Sequence, residues 1–348
     1  MMNTNINNQR IEYIDFAKAL AILSIVIYHY SLPYVSGILS KLIMVGGAGV
    51  HLFFILSGFG IGLAPQPIKT LKFYQKRFLK ILIPYYVVVL IIFTINLIYP
   101  IYKNDGLYAL GGHLFFYKMF DENIMTSFGY HFWFISTIVQ FYLFFPLLSY
   151  VRQKIHSDKK FLVISLLISS SYWIVLSFFK LYDQRIFNSS FLQYLWEFNL
   201  GVVLASLYIS KNFILWESNK FVCFFLSILS FLIAAFLELK GGIGRIFNDV
   251  FSSLGFLCIS IFLYAICKSR FFLIKEFMIY ISKISYEFYL VHLLIFVLIN
   301  SWLNNLLLIQ SNIIYSFLLI FPTSIIAAHL LMKFLKWFYR QPFISKLM

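Results

Sequence analysis

An all-α, polytopic membrane protein is what this sequence predicts, and three observations predict it. Of 348 residues, 61% are hydrophobic and only 12% charged, against roughly 25% charged in a soluble globular chain. The mean hydropathy is +0.85. Apolar runs of about 20 residues, the length that crosses a hydrocarbon core, recur from end to end. Alternating segments of the kind that build an outer-membrane barrel are absent from the sequence.

Ten spans are expected, near 13–32, 43–64, 80–100, 130–150, 161–179, 190–209, 221–239, 249–267, 277–300 and 313–334. The connectors between them include KTLKFYQKRFLK, RQKIHSDKK, KLYDQR and CKSRFFLIKE. Lysine and arginine crowd the connectors on one side, among them Lys69, Lys72, Lys76, Arg77, Arg152, Lys154, Lys159 and Lys160. Positive charge is retained in the cytoplasm, so both termini are expected inside. The same bias accounts for the net charge of +15, and basic loops beside anionic lipid leave no need for nucleic acid as a partner. Cys223, Cys258 and Cys267 lie in apolar runs without metal-ligand spacing and read as core residues. The first apolar run carries internal charge and is followed by many further spans, so it reads as a retained helix rather than a signal peptide. One membrane domain over 1–348 is expected, and the long outside connector 101–129 is expected to form a partly structured cap.

The residues that break the apolar pattern locate the candidate chemistry. In RIEYIDFAKALAILSIVIYHYSLP, from Arg10 to Pro33, Lys18, Ile22, Ile25 and His29 share one helix face, with Asp15 one turn before Lys18. Lys18 and His29 stand about 16 Å apart along the axis. Charge inside a span costs roughly 2.5–3.5 kcal/mol on insertion scales, so such residues turn towards a partner or a wet cavity. The second span, GVHLFFILSGFGIG, is rich in glycines that permit close backbone approach to a helix or a ligand, with Ser57 and Gly58 at its inner end. The basic stretch that follows places Arg77 and Lys80 one turn apart, as topology signals or as a clamp for phosphate. His131 and Trp133 open the fourth span as an interfacial anchor or a binding edge. In the ninth, Lys283 and Glu287 have the i,i+4 spacing of an ion pair and His292 lies deeper.

Five of these stretches, in this order, resemble the acyltransferase-3 family of integral membrane acyltransferases, which modify hydroxyls of bacterial surface glycans. They are IDFAKALAILSIVIYH, FFILSGF, KRFLKILIPYY, FWFISTIVQFYLFFPLL and ISYEFYLVH. The resemblance implies about ten helices and places the family's acyl-transfer histidine on His29. The family's basic residue eleven positions earlier falls on Lys18, and its aspartate on Asp15. Its Arg-x-x-Arg falls on Arg77 and Lys80, with lysine for the second arginine, and Ser57, Gly58 and Phe59 keep its Ser-Gly-Phe. Many relatives carry a Glu-Glu pair where Ile138 and Val139 stand here.

From this follows an expected reaction. Acyl-CoA, probed first as acetyl-CoA, would bind by its phosphates at Arg77 and Lys80, beside Ser57 and Gly58. Its pantetheine arm would run along the first helix to His29, which takes the proton of an acceptor hydroxyl while Asp15 positions Lys18. His131, Trp133, Tyr286 and His292 are the expected acceptor contacts. No metal is expected. The expected setting is the bacterial cytoplasmic membrane, with the bilayer, a glycan acceptor and other polysaccharide-synthesis membrane proteins as partners. The rival class is a secondary transporter or flippase for a lipid-linked glycan, with Lys283, Glu287 and His292 as an ion relay.

Overall fold

A computed structural model describes residues 11–64, 69–102, 106–210, 219–305, 308 and 310–342. Arg10, at the head of the first polar stretch, lies outside them. Nine helices among the described residues are long and apolar enough to cross a membrane, and Leu195–Ile209 is a shorter apolar helix. No strand occurs among the described residues. The protein is an all-α, multi-pass membrane protein, with helices near all ten expected positions.

In chain order the helices are α1 (Glu12–Ser31), α2 (Gly37–Gly47), α3 (Gly49–Gly62), α4 (Thr70–Ile98), α5 (Leu107–Phe115), α6 (Trp133–Ile155), α7 (Asp158–Phe178) and the single turn α8 (Arg185–Asn188). They continue with α9 (Leu195–Ile209), α10 (Lys220–Lys240), α11 (Gly244–Arg270), α12 (Phe272–Lys283) and α13 (Ser285–Asn305). The last span runs from α14 (Ile313–Tyr315) through a π segment, Ser316–Ile320, into α15 (Phe321–Tyr339). The strongest pairings are α10 on α11 and α3 on α9.

Two expected boundaries move. The expected third span begins ten residues earlier, because the helix takes in the basic stretch from Thr70 onward. The expected ninth span is two helices, α12 and α13, broken at Ile284. The break changes the chemistry: Lys283 ends α12 exposed to solvent rather than embedded. Glu287, in the first turn of α13, instead lies within electrostatic reach of Lys80 and Lys336.

Gly58 shows what the glycine-rich second span is for. A Cβ there would stand 1.9 Å from the Phe198 carbonyl oxygen, and one at Gly201 would stand 1.9 Å from the Ile55 carbonyl oxygen. The two glycines let the α3 and α9 backbones touch, which is the small-residue route to helix association in lipid.

Polar contacts sort into two ends, called inner and outer after the expected N-inside orientation. At the inner end, Lys275 pairs with Glu12 at 3.3 Å, Ser282 donates to Asp15 at 2.9 Å, and Arg77 donates to the Gly60 carbonyl at 3.2 Å. At the outer end, Lys41 donates to the Leu239 carbonyl and Arg245 pairs with Asp183 at 3.1 Å. The described part of the 101–129 connector is a packed cap: α5, a 3-10 turn at Tyr117–Phe120, and fully buried His113, Lys118, Met125 and Phe128.

This arrangement predicts labelling from opposite faces. In a background lacking Cys223, Cys258 and Cys267, a cysteine placed at Lys72 should react with an impermeant maleimide only after the cells are opened. One placed at exposed Asn123 should react on intact cells. Reaction at the Lys72 position on intact cells, with the Asn123 position reacting only after opening, would reverse the orientation.

Candidate active site

Three histidines from three distant spans meet at the outer end of the bundle. His29 ends α1, His131 precedes α6 and His292 lies on α13. The ring centroids of His29 and His292 are 5.3 Å apart, and those of His131 and His292 are 4.9 Å apart. His292 is fully buried, and its Nδ1–H donates to the Tyr289 carbonyl at 2.7 Å. A neutral imidazole held that way presents the lone pair of Nε2 to the cluster. Neither ring nitrogen of His131 has a hydrogen-bond partner among the described residues.

Each histidine is set in place by its neighbours. Tyr30, next to His29, donates to the His292 carbonyl at 3.0 Å and shares a 2.6 Å hydrogen bond with Ser324, tying α1 to α13 and α15. The Tyr289 hydroxyl donates to the His131 carbonyl, and Lys118 donates to the Phe132 carbonyl at 3.2 Å. Gly129 turns the chain at φ 134°, and a Cβ there would meet the His131 ring at 2.8 Å. Only glycine adopts that turn comfortably.

His29 and His131 open onto a cavity of about 290 Å³ that also reaches Trp133, Tyr130, Tyr194 and Arg185. His292 stands behind it. Of the expected acceptor contacts, then, His131 and Trp133 line the cavity. Tyr286 does not: its hydroxyl donates to the Ile81 carbonyl at 2.7 Å and braces α13 against α4.

The cavity wall holds residues that sequence reasoning missed. Buried His51 stands between two carboxylates, Nδ1 at 2.9 Å from Glu197 and Nε2 at 3.2 Å from Asp249. Both nitrogens can donate at once only in the imidazolium form. Gln193 donates to the other Asp249 oxygen at 2.7 Å. The signal was present: Glu197 in LWEFNLG is a lone acid in an apolar run, and His51 sits among the glycines of the second span.

The expected donor residues gather elsewhere, at the inner end. Arg77, Lys76 and Lys80 lie within electrostatic reach of one another. Ser57 lies close to Tyr142, which also feels Arg77. Gly58 is buried in the α3–α9 contact and presents nothing to a ligand, so the structure moves it from cofactor binding to helix packing. Asp15 is buried against Ser282, and Lys18 is half-buried. Between Lys18 and His29 the shared face carries Ile22 and Ile25, both buried, with Ile25 at the inner edge of the cavity. No group of His, Cys, Asp and Glu among the described residues is placed to hold a metal ion.

The acyltransferase domain model Acyl_transf_3 matches residues 11–332. The chain belongs to the acyltransferase-3 family. No curated protein and no solved structure matches it. Membership makes this a membrane acyl-transferring protein.

Beside the histidine cluster the cap holds a buried amine. Burial pushes the Lys118 Nζ down to about 7, with only the Phe132 carbonyl and the Tyr85 and Phe132 rings around it. Beside it the His113 imidazole, held well below its usual range by burial and then by Lys118, donates from Nε2 to Ser127 and accepts at Nδ1 from Tyr85. An unfolded lysine titrates near 10.4, so between about 7 and about 10.4 the folded chain binds fewer protons than the unfolded one. The cost of burying Lys118 is therefore complete below about 7, shrinks as pH rises, and vanishes above about 10.4. Lys118→Met should melt higher than the parent near neutral pH, with the gap narrowing steadily towards about pH 10. A gap in melting temperature that ignores pH would show that the amine is not buried as described.

Proposed function

We propose that this acyltransferase-3 protein moves an acyl group, with acetyl the first to test, from acyl-CoA to a hydroxyl of a cell-surface glycan or its lipid-linked precursor. One domain in the cytoplasmic membrane of a bacterium would carry the whole reaction. The observation that supports the reading is the position of His29, at the wall of an outer cavity whose other walls are aromatic. Faces such as Tyr130, Trp133 and Tyr194 suit the apolar face of a sugar, while the polar wall suits its hydroxyls.

In that reaction the acceptor hydroxyl gives its proton to His29 as its oxygen attacks the thioester carbonyl. The new C–O bond forms, the C–S bond breaks, and the proton passes from His29 to the departing thiolate, so CoA leaves as the free thiol. His292, behind His29, holds the ring and supplies a polar backing rather than the base. His29 is favoured because it lines the cavity, whereas His292 is enclosed by α1, α13 and α15. The donor's phosphates would rest on Lys76, Arg77 and Lys80, where a guanidinium and two ammonium groups meet. A pantetheine arm following this face of α1 would have to pass buried Ile22 to reach the cavity at Ile25 and His29.

Removal of a base acting in the transition state costs about 10²–10⁴-fold in rate. A deletion strain complemented with His29→Gln should therefore lack the ester that wild-type complementation restores, read by mass spectrometry of its surface glycans. Glutamine keeps a hydrogen bond but cannot take the proton, so wild-type esterification by this variant would sink the assignment. The mass of the lost ester names the acyl group, and its fragmentation names the acceptor position.

The donor site has a separate test. Arg77→Ala should raise the apparent KM for acyl-CoA several-fold with little change in kcat, and the difference from the parent should shrink in high salt, where exposed charges are screened. An unchanged KM would remove the phosphate assignment and leave the family membership standing.

A further inference from the structure

The charges of the cavity wall pair off, with one exception. Arg245 is taken by Asp183 at 3.1 Å and Glu238 at 3.5 Å, and Asp249 and Glu197 are taken by His51. Arg185 has no carboxylate partner among the described residues. Its guanidinium carbon lies 4.9 Å from the centre of the Tyr130 ring and 5.0 Å from that of Trp133, and one nitrogen donates to the Tyr130 hydroxyl. The nearest acid serves a different purpose. Glu122 accepts from the backbone amides of Arg185 and Ile186, at 2.7 and 2.8 Å, and so fixes the loop while leaving the side chain to the cavity.

That is how a guanidinium is built into a recognition site. Packing on aromatic faces orients the plane and leaves edge donors free, and those donors match the two oxygens of a carboxylate or phosphate. A structural arginine would be expected to spend its donors on protein acceptors, and this one spends a single donor on Tyr130. We infer that Arg185 reads an anionic oxyacid group on the acceptor, so that the preferred acceptor is an acidic saccharide carrying a carboxylate or a phosphate.

The inference rests on the reading of this cavity as the acceptor site. The acids on the wall are engaged elsewhere, Asp183 and Glu238 at Arg245 and Asp249 at His51, and among the described residues none of them pairs with Arg185. At about 290 Å³ the cavity is at the small end of ligand sites, which run from roughly 300 to 1,000 Å³. It suits one sugar unit, whose acidic group at Arg185 would fix the direction in which its hydroxyls face His29. Arg185 is thus a specificity-determining residue.

The test is binding to the full-length protein in lipid nanodiscs, without acyl-CoA, using glucuronic acid, a hexose phosphate and the neutral methyl glucoside as probes. A hydrogen bond to a charged group separates matched from unmatched ligands by about tenfold or more. At least one acidic probe should therefore bind about tenfold more tightly than the glucoside, and which one does so tells carboxylate from phosphate. Arg185→Gln should bring acid and neutral probes to parity, and Arg185→Lys should keep part of the preference. Parity in the wild type, or a preference that survives Arg185→Gln, would overturn the inference; the wild-type comparison decides even if a variant fails to fold. Because transfer is not the readout, the two proposals separate. Parity in binding leaves the acyltransferase reading untouched, whereas an anion preference without transfer to any hydroxyl would remove that reading alone.

Discussion

The site depends on the hydrogen bonds of Tyr30. In lipid, apolar helix faces do not choose their neighbours by hydrophobicity, since the tails are as apolar as leucine; close packing and polar links make the choice. Tyr30 is buried, donates to the backbone of α13 at His292 and meets Ser324 of α15. It therefore fixes both the rotation and the height of α1 at the residue next to His29. The Tyr289 hydroxyl does the same for the turn that carries His131. Two tyrosines on two helices bring together side chains that are more than 250 residues apart in the chain.

Rigid backing and an open front follow from the same contacts. His292 is enclosed, with its tautomer fixed by the Tyr289 carbonyl, while His29 and His131 face the cavity. The charge contacts of the wall, His51 between Glu197 and Asp249 and Arg245 between Asp183 and Glu238, link α3, α9, α10 and α11 around that cavity. Buried ion pairs such as those of His51 add little stability over apolar packing but are destructive when one partner is lost, and the exposed Arg245–Asp183 pair adds little in either sense. They specify an arrangement rather than strengthen it.

The two ends of the molecule also set the mechanical demand on catalysis. The basic cluster of Lys76, Arg77 and Lys80 stands at the inner end and the histidines at the outer end, with buried Ile22 and Ile25 between them on α1. On the proposed reading a donor from one end and an acceptor at the other have to meet past that packing. The break at Ile284, next to Ser282 that binds Asp15, and the π segment Ser316–Ile320, whose Phe317 packs on Tyr30, lie in helices that flank α1 towards its two ends, and irregular backbone of this sort is where helices bend most readily.

The sequence by itself determined the class and the order of the spans, and its basic connectors set the expected orientation. Hydropathy and positive charge act locally, within one run of about 20 residues, so they are legible without neighbours. The family motifs also singled out His29, His131 and Trp133. What sequence could not settle were questions of partner. Lys283 and Glu287 looked like an i,i+4 pair, and a break of the helix at Ile284 separates them. Gly58 looked free to meet a ligand, and the Phe198 carbonyl occupies the space. His51, Glu197 and Asp249 lie far apart in the chain and only tertiary packing makes them one cluster; the same is true of His29, His131 and His292. Periodicity places a residue on a face of its own helix, but which helix lies against that face is decided by close packing and by polar links such as those of Tyr30, and these exist only once the bundle has assembled.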